Sequence, residues 1–329
     1  MSKPCLSMFM CLGLAACGGG GSSPPPTDGP VITAENYVTV AQETLNSSRY
    51  LVGSTDIFSG AVVGVQASDS ANLVRFAVAQ LPRLNAWVRS APQQVTGVTQ
   101  SQSFACPAGG TMTVAVNDAN NNNAPDAGDS FNLSMSGCAA DGEVLNGVLA
   151  FSLNSVSGDL TTDIFSLGAA MTFTNLTATS ATTSTTGNGS MTMQFTSHGL
   201  NDYLIALTLP SFSTTTTYGG STATLTLTNF ALAETVSPVG AGFSSSDSVS
   251  GTIASSALGS KSVVIATASP FVISSTDLYP ASGQYIATDS SNRKVRVSAT
   301  SSTSVLIESD ADANGSYELS TSKLWSELI

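Results

Sequence analysis

The sequence predicts an α+β fold that is predominantly β: a large antiparallel sheet with an N-terminal helical segment packed on it. Three observations predict it. Apolar residues recur at helical spacing between Thr33 and Val88, as on helices with one buried stripe. After Pro92 the period changes to two, and apolar residues alternate with Thr and Ser, the pattern of strands buried on one face. Turn dipeptides separate these runs at short intervals, so neighbouring strands are joined by hairpins. The pattern fits an open sheet and equally one curled into a partial barrel or sandwich.

The first element is a processing segment. Lys3 precedes an apolar run, Leu6 to Ala16, too short for the roughly 20 residues that span a bilayer. It fits the apolar region of a signal peptide. The run ends in two small residues before a cysteine, and Leu14-Ala15-Ala16-Cys17 resembles the lipobox of bacterial lipoproteins. That resemblance implies removal of residues 1–16, a covalent lipid on Cys17, and a membrane as partner through that anchor. In that family the second residue of the mature chain influences sorting. Gly18 is not the Asp that retains many members at the inner membrane, so the outer membrane is implied, with its periplasmic and surface faces both open. Gly18 to Gly21, Ser22, Ser23 and Pro24 to Pro26 cannot build a core, and residues 17–32 read as a tether with a flexible part and a stiff part.

Residues 33–92 read as the helical segment. Thr33 can cap a helix that runs to about Asn46, with Glu35 in its first turn. Tyr37, Ala41 and Leu45 fall on one face, with Val38 beside them. A second pattern runs from about Ser70 to Val88, with Leu73, Phe76, Ala77, Leu81, Leu84 and core-facing Trp87 on one stripe. Pro82 should kink or divide it.

Residues 93–329 read as the β domain, with about a dozen strands by alternation. Met191, Met193 and Phe195 alternate with Thr192, Gln194 and Thr196. Tyr203, Ile205, Leu207 and Leu209 share a face, as do Ala223, Leu225 and Leu227. Asn146-Gly147, Asn188-Gly189, Gly219-Gly220 and Asn314-Gly315 read as turns between strands. Thr177 to Thr186 reads as frayed strand ends and a loop, and Trp325 as the residue that docks the chain end.

Charge narrows the function classes. The net charge is −12, with ten Lys and Arg against 22 Asp and Glu. No basic surface exists to neutralise nucleic-acid phosphates. One His excludes most zinc and iron sites. Between Arg89 and Lys261 there is no Lys or Arg, yet there are ten carboxylates. Such a surface is either plainly polar or acidic enough to draw divalent cations.

Of five cysteines, Cys5 and Cys11 would leave with the signal peptide and Cys17 would be acylated. Cys106 and Cys138 remain, an even number in an exported chain, which reads as a disulfide. Two buried free thiols are the alternative.

The strongest constellation for chemistry is Asp118 to Asp129. Calcium takes six to eight oxygens from a flexible loop, and an EF-hand loop supplies them from positions 1, 3, 5, 7, 9 and 12. Asp118, Asn120, Asn122, Ala124 through its carbonyl, Asp126 and Asp129 hold those positions. Asn123 stands at the turn position usually held by Gly, and Asp rather than Glu closes the loop. The flanks alternate like strands. The resemblance covers twelve residues and makes calcium the candidate cofactor; a polar connection rich in Asn fits the same residues. A second candidate is Asp310, Asp312, Asn314 and Glu318. There Asn314-Gly315 reads first as a type I′ hairpin turn between Val305–Glu308 and Tyr317–Leu319, with cation binding as an addition.

Catalytic arrangements are poor. His198, expected in a loop after the Met191–Phe195 strand, is the only imidazole, and no Gly-x-Ser-x-Gly elbow accompanies it. No catalytic residue is assigned. The expected role is non-enzymatic: structural, adhesive or binding, in the cell envelope, with an envelope protein as partner. The alternative is a carrier that encloses an apolar ligand or lipid, with Met171, Met191 and Met193 lining an adaptable pocket. A filled core favours the first, and an apolar cavity between helices and sheet favours the second.

Overall fold

The structure is a computed structural model and describes residues 31–52, 73–90, 100–140, 142–160 and 164–328. Cys17 and residues 1–30, which include the expected processing segment and most of the expected tether, lie outside the described residues, as do 70–72 of the expected second helix.

The helices are α1 (Tyr37–Val52), α2 (Leu73–Val78), α3 (Leu84–Ser90) and the short α4 (Trp325–Leu328). Fourteen strands make one sheet: β1 (Gln100–Ala105), β2 (Thr111–Asn117), β3 (Ser130–Ala140), β4 (Glu143–Gly158), β5 (Ile164–Thr179), β6 (Thr183–Gly199) and β7 (Asp202–Tyr218), then β8 (Ser221–Val239), β9 (Gly242–Ser255), β10 (Lys261–Ser274), β11 (Ser282–Asp289), β12 (Lys294–Ser301), β13 (Ser304–Asp310) and β14 (Leu319–Leu324). Each strand pairs antiparallel with the next, in the order β1 to β14. The sheet is therefore a single open meander, predominantly β as the alternation predicts, and not a sandwich of two sheets.

The helices begin and end where local chemistry dictates. α1 starts at Tyr37 rather than beside Thr33. Asn36 ties down the turn that leads into it: its Oδ1 accepts from the Thr33 N–H at 2.8 Å, its Nδ2 donates to the Val31 carbonyl at 2.7 Å, and its own carbonyl accepts from Val40 N–H. Pro82 divides the second helical pattern. It sits in a 3-10 turn, Leu81–Arg83, between α2 and α3, where its missing N–H costs no helical hydrogen bond.

One face of the sheet carries the core. Met191, Met193 and Phe195 are buried on it while Thr192 and Gln194 are exposed. The helices cover this face. Trp87 on α3 packs against Phe131 on β3 with ring centroids 6.4 Å apart, Leu73 on α2 lies over Gly187 on β6, and α1 touches β8, β9, β12 and β13. The result is one continuous apolar cluster from Val31 to Leu328. Trp325 docks the chain end as expected. It is buried, and its Nε1 donates to the Pro280 and Ser301 carbonyls at 3.2 Å each.

Two of the dipeptides read as turns are not turns. Asn146-Gly147 lies inside β4 and Asn188-Gly189 inside β6. Each marks a β-bulge, where the pairing register shifts against β5. Asn146 Oδ1 accepts the Gly137 N–H of β3, and Asn188 Oδ1 accepts the Asn175 N–H of β5, both at 2.7 Å. Gly147 has φ +102°, and a Cβ there would stand 2.2 Å from the Asn175 carbonyl oxygen of the next strand. Gly189, at φ +135°, meets Ser211 O in the same way. Register shifts recur between β3 and β4, β5 and β6, β8 and β9, and β9 and β10. A line of bulges bends and twists successive strands, which folds the long sheet toward its helices.

Three further expectations are corrected. Thr177 to Thr186 is mostly ordered ladder: only 180–182 lie outside strands, and Thr177 and Thr186 join hydroxyls at 2.9 Å across β5 and β6. β-branched side chains suit a pleated strand, so the tract needs no loop. His198 lies in the last turnward residues of β6, exposed, 3.6 Å from Asp202. Asn314-Gly315 is not a two-residue turn, because β13 ends at Asp310 and β14 starts at Leu319. The carboxylates of the loop capture its backbone N–H groups, and that geometry needs the longer connection.

Candidate functional site

Antiparallel pairing sends successive connections to alternate ends of the sheet. Loop 118–129 joins β2 to β3 at one end, and loop 311–318 joins β13 to β14 at the other.

The two loops fold alike from the first residue inward. Asp118 accepts the N–H groups of Asn122 (3.3 Å) and Asn123 (2.8 Å). Asp310 accepts those of Asn314 and Gly315, both at 3.0 Å. Asn120 Oδ1 accepts Asn122 N–H, and Asp312 Oδ1 accepts Asn314 N–H, each at 3.1 Å. Asn122 Oδ1 accepts Ala124 N–H at 2.8 Å, and Asn314 Oδ1 accepts Ser316 N–H at 2.7 Å. Positions four and six are left-handed in both: Asn121 and Asn123, then Ala313 and Gly315. Asn121, Asn123 and Gly315 are residues that tolerate that conformation, whereas Ala313 adopts it at a cost. Alternate side chains at positions 1, 3 and 5 are thereby turned to one side, as an oxygen-ligating loop requires.

Position nine closes each group. In the second loop the carboxylate oxygens of Asp310, Asp312 and Glu318 lie within 4.8 Å of one another. In the first, the amides of Asn120 and Asn122 both donate to Asp126 Oδ2 at 2.6 Å, and Asp126 Oδ1 is buried without a hydrogen-bond partner. Ala124 stands between them at position seven. Asp129 is fully buried and braces the loop. Its Oδ1 accepts Ala119 N–H at 2.9 Å and its Oδ2 accepts Asp126 N–H at 3.0 Å. Burial raises its carboxyl above the usual aspartate range, the Asp126 and Asp118 charges add to that, and the two N–H donors oppose it. A carboxylate has about four lone-pair sites, so Asp129 retains capacity toward an ion. Its position-12 counterpart in the second loop, Thr321, lies on β14.

The supports differ. Cys106 and Cys138 form a disulfide, Cα to Cα 5.3 Å, that ties the β1–β2 connection to β3 and encloses the first loop in sequence. The second loop leans on Arg296, which pairs with Glu308 through two 2.8 Å bonds and lies 4.0 Å over the Tyr317 ring.

Sequence reasoning passed over one polar cluster. Glu234 on β8 and Asp247 on β9 are buried directly opposite each other. Ser245 Oγ lies 3.2 Å from Glu234 Oε1 and 2.8 Å from Asp247 Oδ1. The alternation Leu232, Glu234, Val236 already places Glu234 on the core face. Cys17, expected from the sequence to carry lipid, lies outside the described residues, and no described helix is long and apolar enough to cross a membrane.

No protein-family model, curated protein or solved structure matches the chain.

Proposed function

We propose that the protein is a lipid-anchored component of the bacterial outer membrane envelope, with a non-enzymatic structural, adhesive or binding role and a body stabilised by calcium. Contacts between the helices and the inner face of the sheet support the first of the two non-enzymatic classes. Trp87, Leu73 and Thr44 from the helices contact Phe131, Gly187 and Tyr285 of the sheet, which supports a structural body over a carrier of apolar ligands. Anchoring rests on Leu14-Ala15-Ala16-Cys17 and the Gly/Ser/Pro tether behind it. Calcium rests on the shared loop geometry and on the buried, donorless Asp126 Oδ1. There Asp118, Asn120, Asn122, Ala124, Asp126 and Asp129 would supply oxygens, and three carboxylates against one Ca²⁺ leave a net charge of −1. Asp310, Asp312, Asn314 and Glu318 form the second candidate.

The test of the anchor is fractionation. Wild-type protein should sediment with membranes as a cleaved chain, and Cys17→Ala should leave it soluble or with its signal uncleaved. A cleaved Cys17→Ala chain that stays with membranes would refute the anchor.

A further inference from the structure

We propose that the rim of the sheet carrying the β4–β5, β6–β7, β8–β9 and β10–β11 connections docks a cationic amphipathic helix of a partner protein. This surface goes beyond the reading above and depends on neither the lipid nor calcium.

The pairing register builds the rim. Strands β4 to β11 pair antiparallel in sequence order, so these four connections share one end of the sheet. Ile164 stands opposite His198, Gly199 opposite Asp202, Val239 opposite Gly242, and Ser244 opposite Ser274. Pairing therefore continues to the turns, and the tips stand nearly level. Neighbouring strands lie about 4.8 Å apart, which places successive tips about 10 Å apart along the rim.

Each tip exposes an apolar side chain. Ile164 opens β5 and is 63% exposed, Leu200 lies in the β6–β7 turn at 74%, Val239 ends β8 at 60%, and Leu278 lies in the β10–β11 connection at 51%. Single exposed apolar residues are ordinary, whereas patches of roughly 300 Å² or more are often functional. Four such side chains in one row approach that class.

Charge selects the partner. Asp159, Asp202 and Asp277 stand in or beside the same connections. Strands β4 to β11 and their connections contain one Lys or Arg, Lys261, and it opens β10 at the opposite end. Apolar tips interleaved with carboxylates complement apolar residues interleaved with Lys and Arg. A second copy of this rim, or an anionic bilayer, would instead bring like charges together. A helix repeats one face every seven residues, about 10.5 Å, close to the tip spacing. One helix of about 21 residues therefore matches the length of the row.

The probe is a fluorescent peptide of about 21 residues, in heptads of Leu and Lys. It is titrated against the purified full-length protein at low salt and followed by anisotropy. Binding should be saturable. Leu200→Ser combined with Val239→Ser should weaken it at least about tenfold, the loss expected when two apolar side chains are no longer buried. This variant should melt with wild type, since both residues are at the surface. Asp202→Asn combined with Asp277→Asn should weaken binding at least about threefold at low salt, and the difference should shrink as salt rises. The same peptide with Glu in place of Lys should not bind. Binding that ignores the Leu200 and Val239 substitutions, or that survives in the Glu peptide, overturns the proposal, as does a peptide that fails to bind wild type. A bilayer as occupant overturns it too. Leu200→Trp places an exposed indole beside two buried native ones, Trp87 and Trp325, and its quenching by brominated phosphatidylcholine vesicles without peptide would show lipid at the rim.

Discussion

The hydroxyls of Thr44 and Tyr285 lie 2.7 Å apart across 241 residues of sequence, where α1 meets β11. Both residues are buried, and Tyr285 also donates to the Ala41 carbonyl at 3.0 Å. Thr44 occupies the apolar stripe of α1 because a polar partner waits on the sheet. Buried polar groups persist where they are satisfied.

Burial pushes the Tyr285 hydroxyl far above the ordinary tyrosine range, and the Thr44 bond only partly offsets it. A folded-state pKa raised above the unfolded value means that the stabilising contribution is complete below about pH 10 and is lost as pH climbs toward the folded value. Tyr285 should therefore ionise only as the protein unfolds in alkali. Phenolate absorbance followed beside circular dichroism checks this. A Tyr285 signal that titrates reversibly near pH 10 in folded protein would show that the helix does not seal the site. Thr44→Val should cost about 1 kcal/mol in urea unfolding.

Asp289 should matter more than its surface-like sequence, Asp-Ser-Ser-Asn, suggests. Its carboxylate accepts four backbone N–H groups, from Val31, Ile32, Ser291 and Arg293. Asp289→Ala leaves four donors without that acceptor, two of them on buried residues. The expected loss is about 2–4 kcal/mol at an unchanged denaturant slope. A loss below about 1 kcal/mol would mean that water replaces the carboxylate freely and that the N-terminal clasp is loose.

The bulge line makes a graded prediction. Gly147→Ala and Gly189→Ala each put a Cβ 2.2 Å from a neighbouring carbonyl oxygen, at φ of +102° and +135°. Gly219, in the β7–β8 turn, has φ +56° with nothing within 4 Å. Gly219→Ala should cost about 1 kcal/mol from backbone strain alone, whereas the two bulge variants should lose about 3 kcal/mol or more. Similar melting temperatures for all three would mean that the bulges relax without cost.

These contrasts show what the sequence made legible. Period-two alternation located the strands because each has one dry face, and Pro82 broke its helix because its chemistry is local. The Asn-Gly pairs misled because Asn-Gly serves both a tight turn and a bulge, and only the strand beside it decides. Asp289 and Glu234 were silent for a related reason: their partners, Val31 and Ile32 for one and Ser245 for the other, are brought near by the fold rather than by spacing. The two acidic loops were legible as oxygen-rich spacing. Their common backbone was not, since Asn314-Gly315 alone favours a shorter turn.

The acidic loop at 118–129 separates ligand from brace. Asp126 points at the amides of Asn120 and Asn122 and keeps one buried oxygen without a donor, whereas Asp129 holds the Ala119 and Asp126 N–H groups. No Lys or Arg occurs between Arg89 and Lys261 to neutralise them, so without an ion the carboxylates repel. An extracellular-type site binds calcium at about 10⁻⁴–10⁻³ M, and calcium at ten times that constant adds about 1.4 kcal/mol, or a few degrees in melting temperature. Asp126→Asn should abolish this rise while leaving the melting temperature in chelator unchanged or slightly higher, because one repelling charge is gone. Asp129→Ala should lower the melting temperature even in chelator, by about 1–3 kcal/mol of stability, because two backbone donors lose their acceptor. Differential scanning calorimetry of the three proteins in calcium and in chelator decides the matter. If wild type melts identically in both, Asp126 has no ion to hold and the loop is a hydrogen-bonded connection whose brace is Asp129.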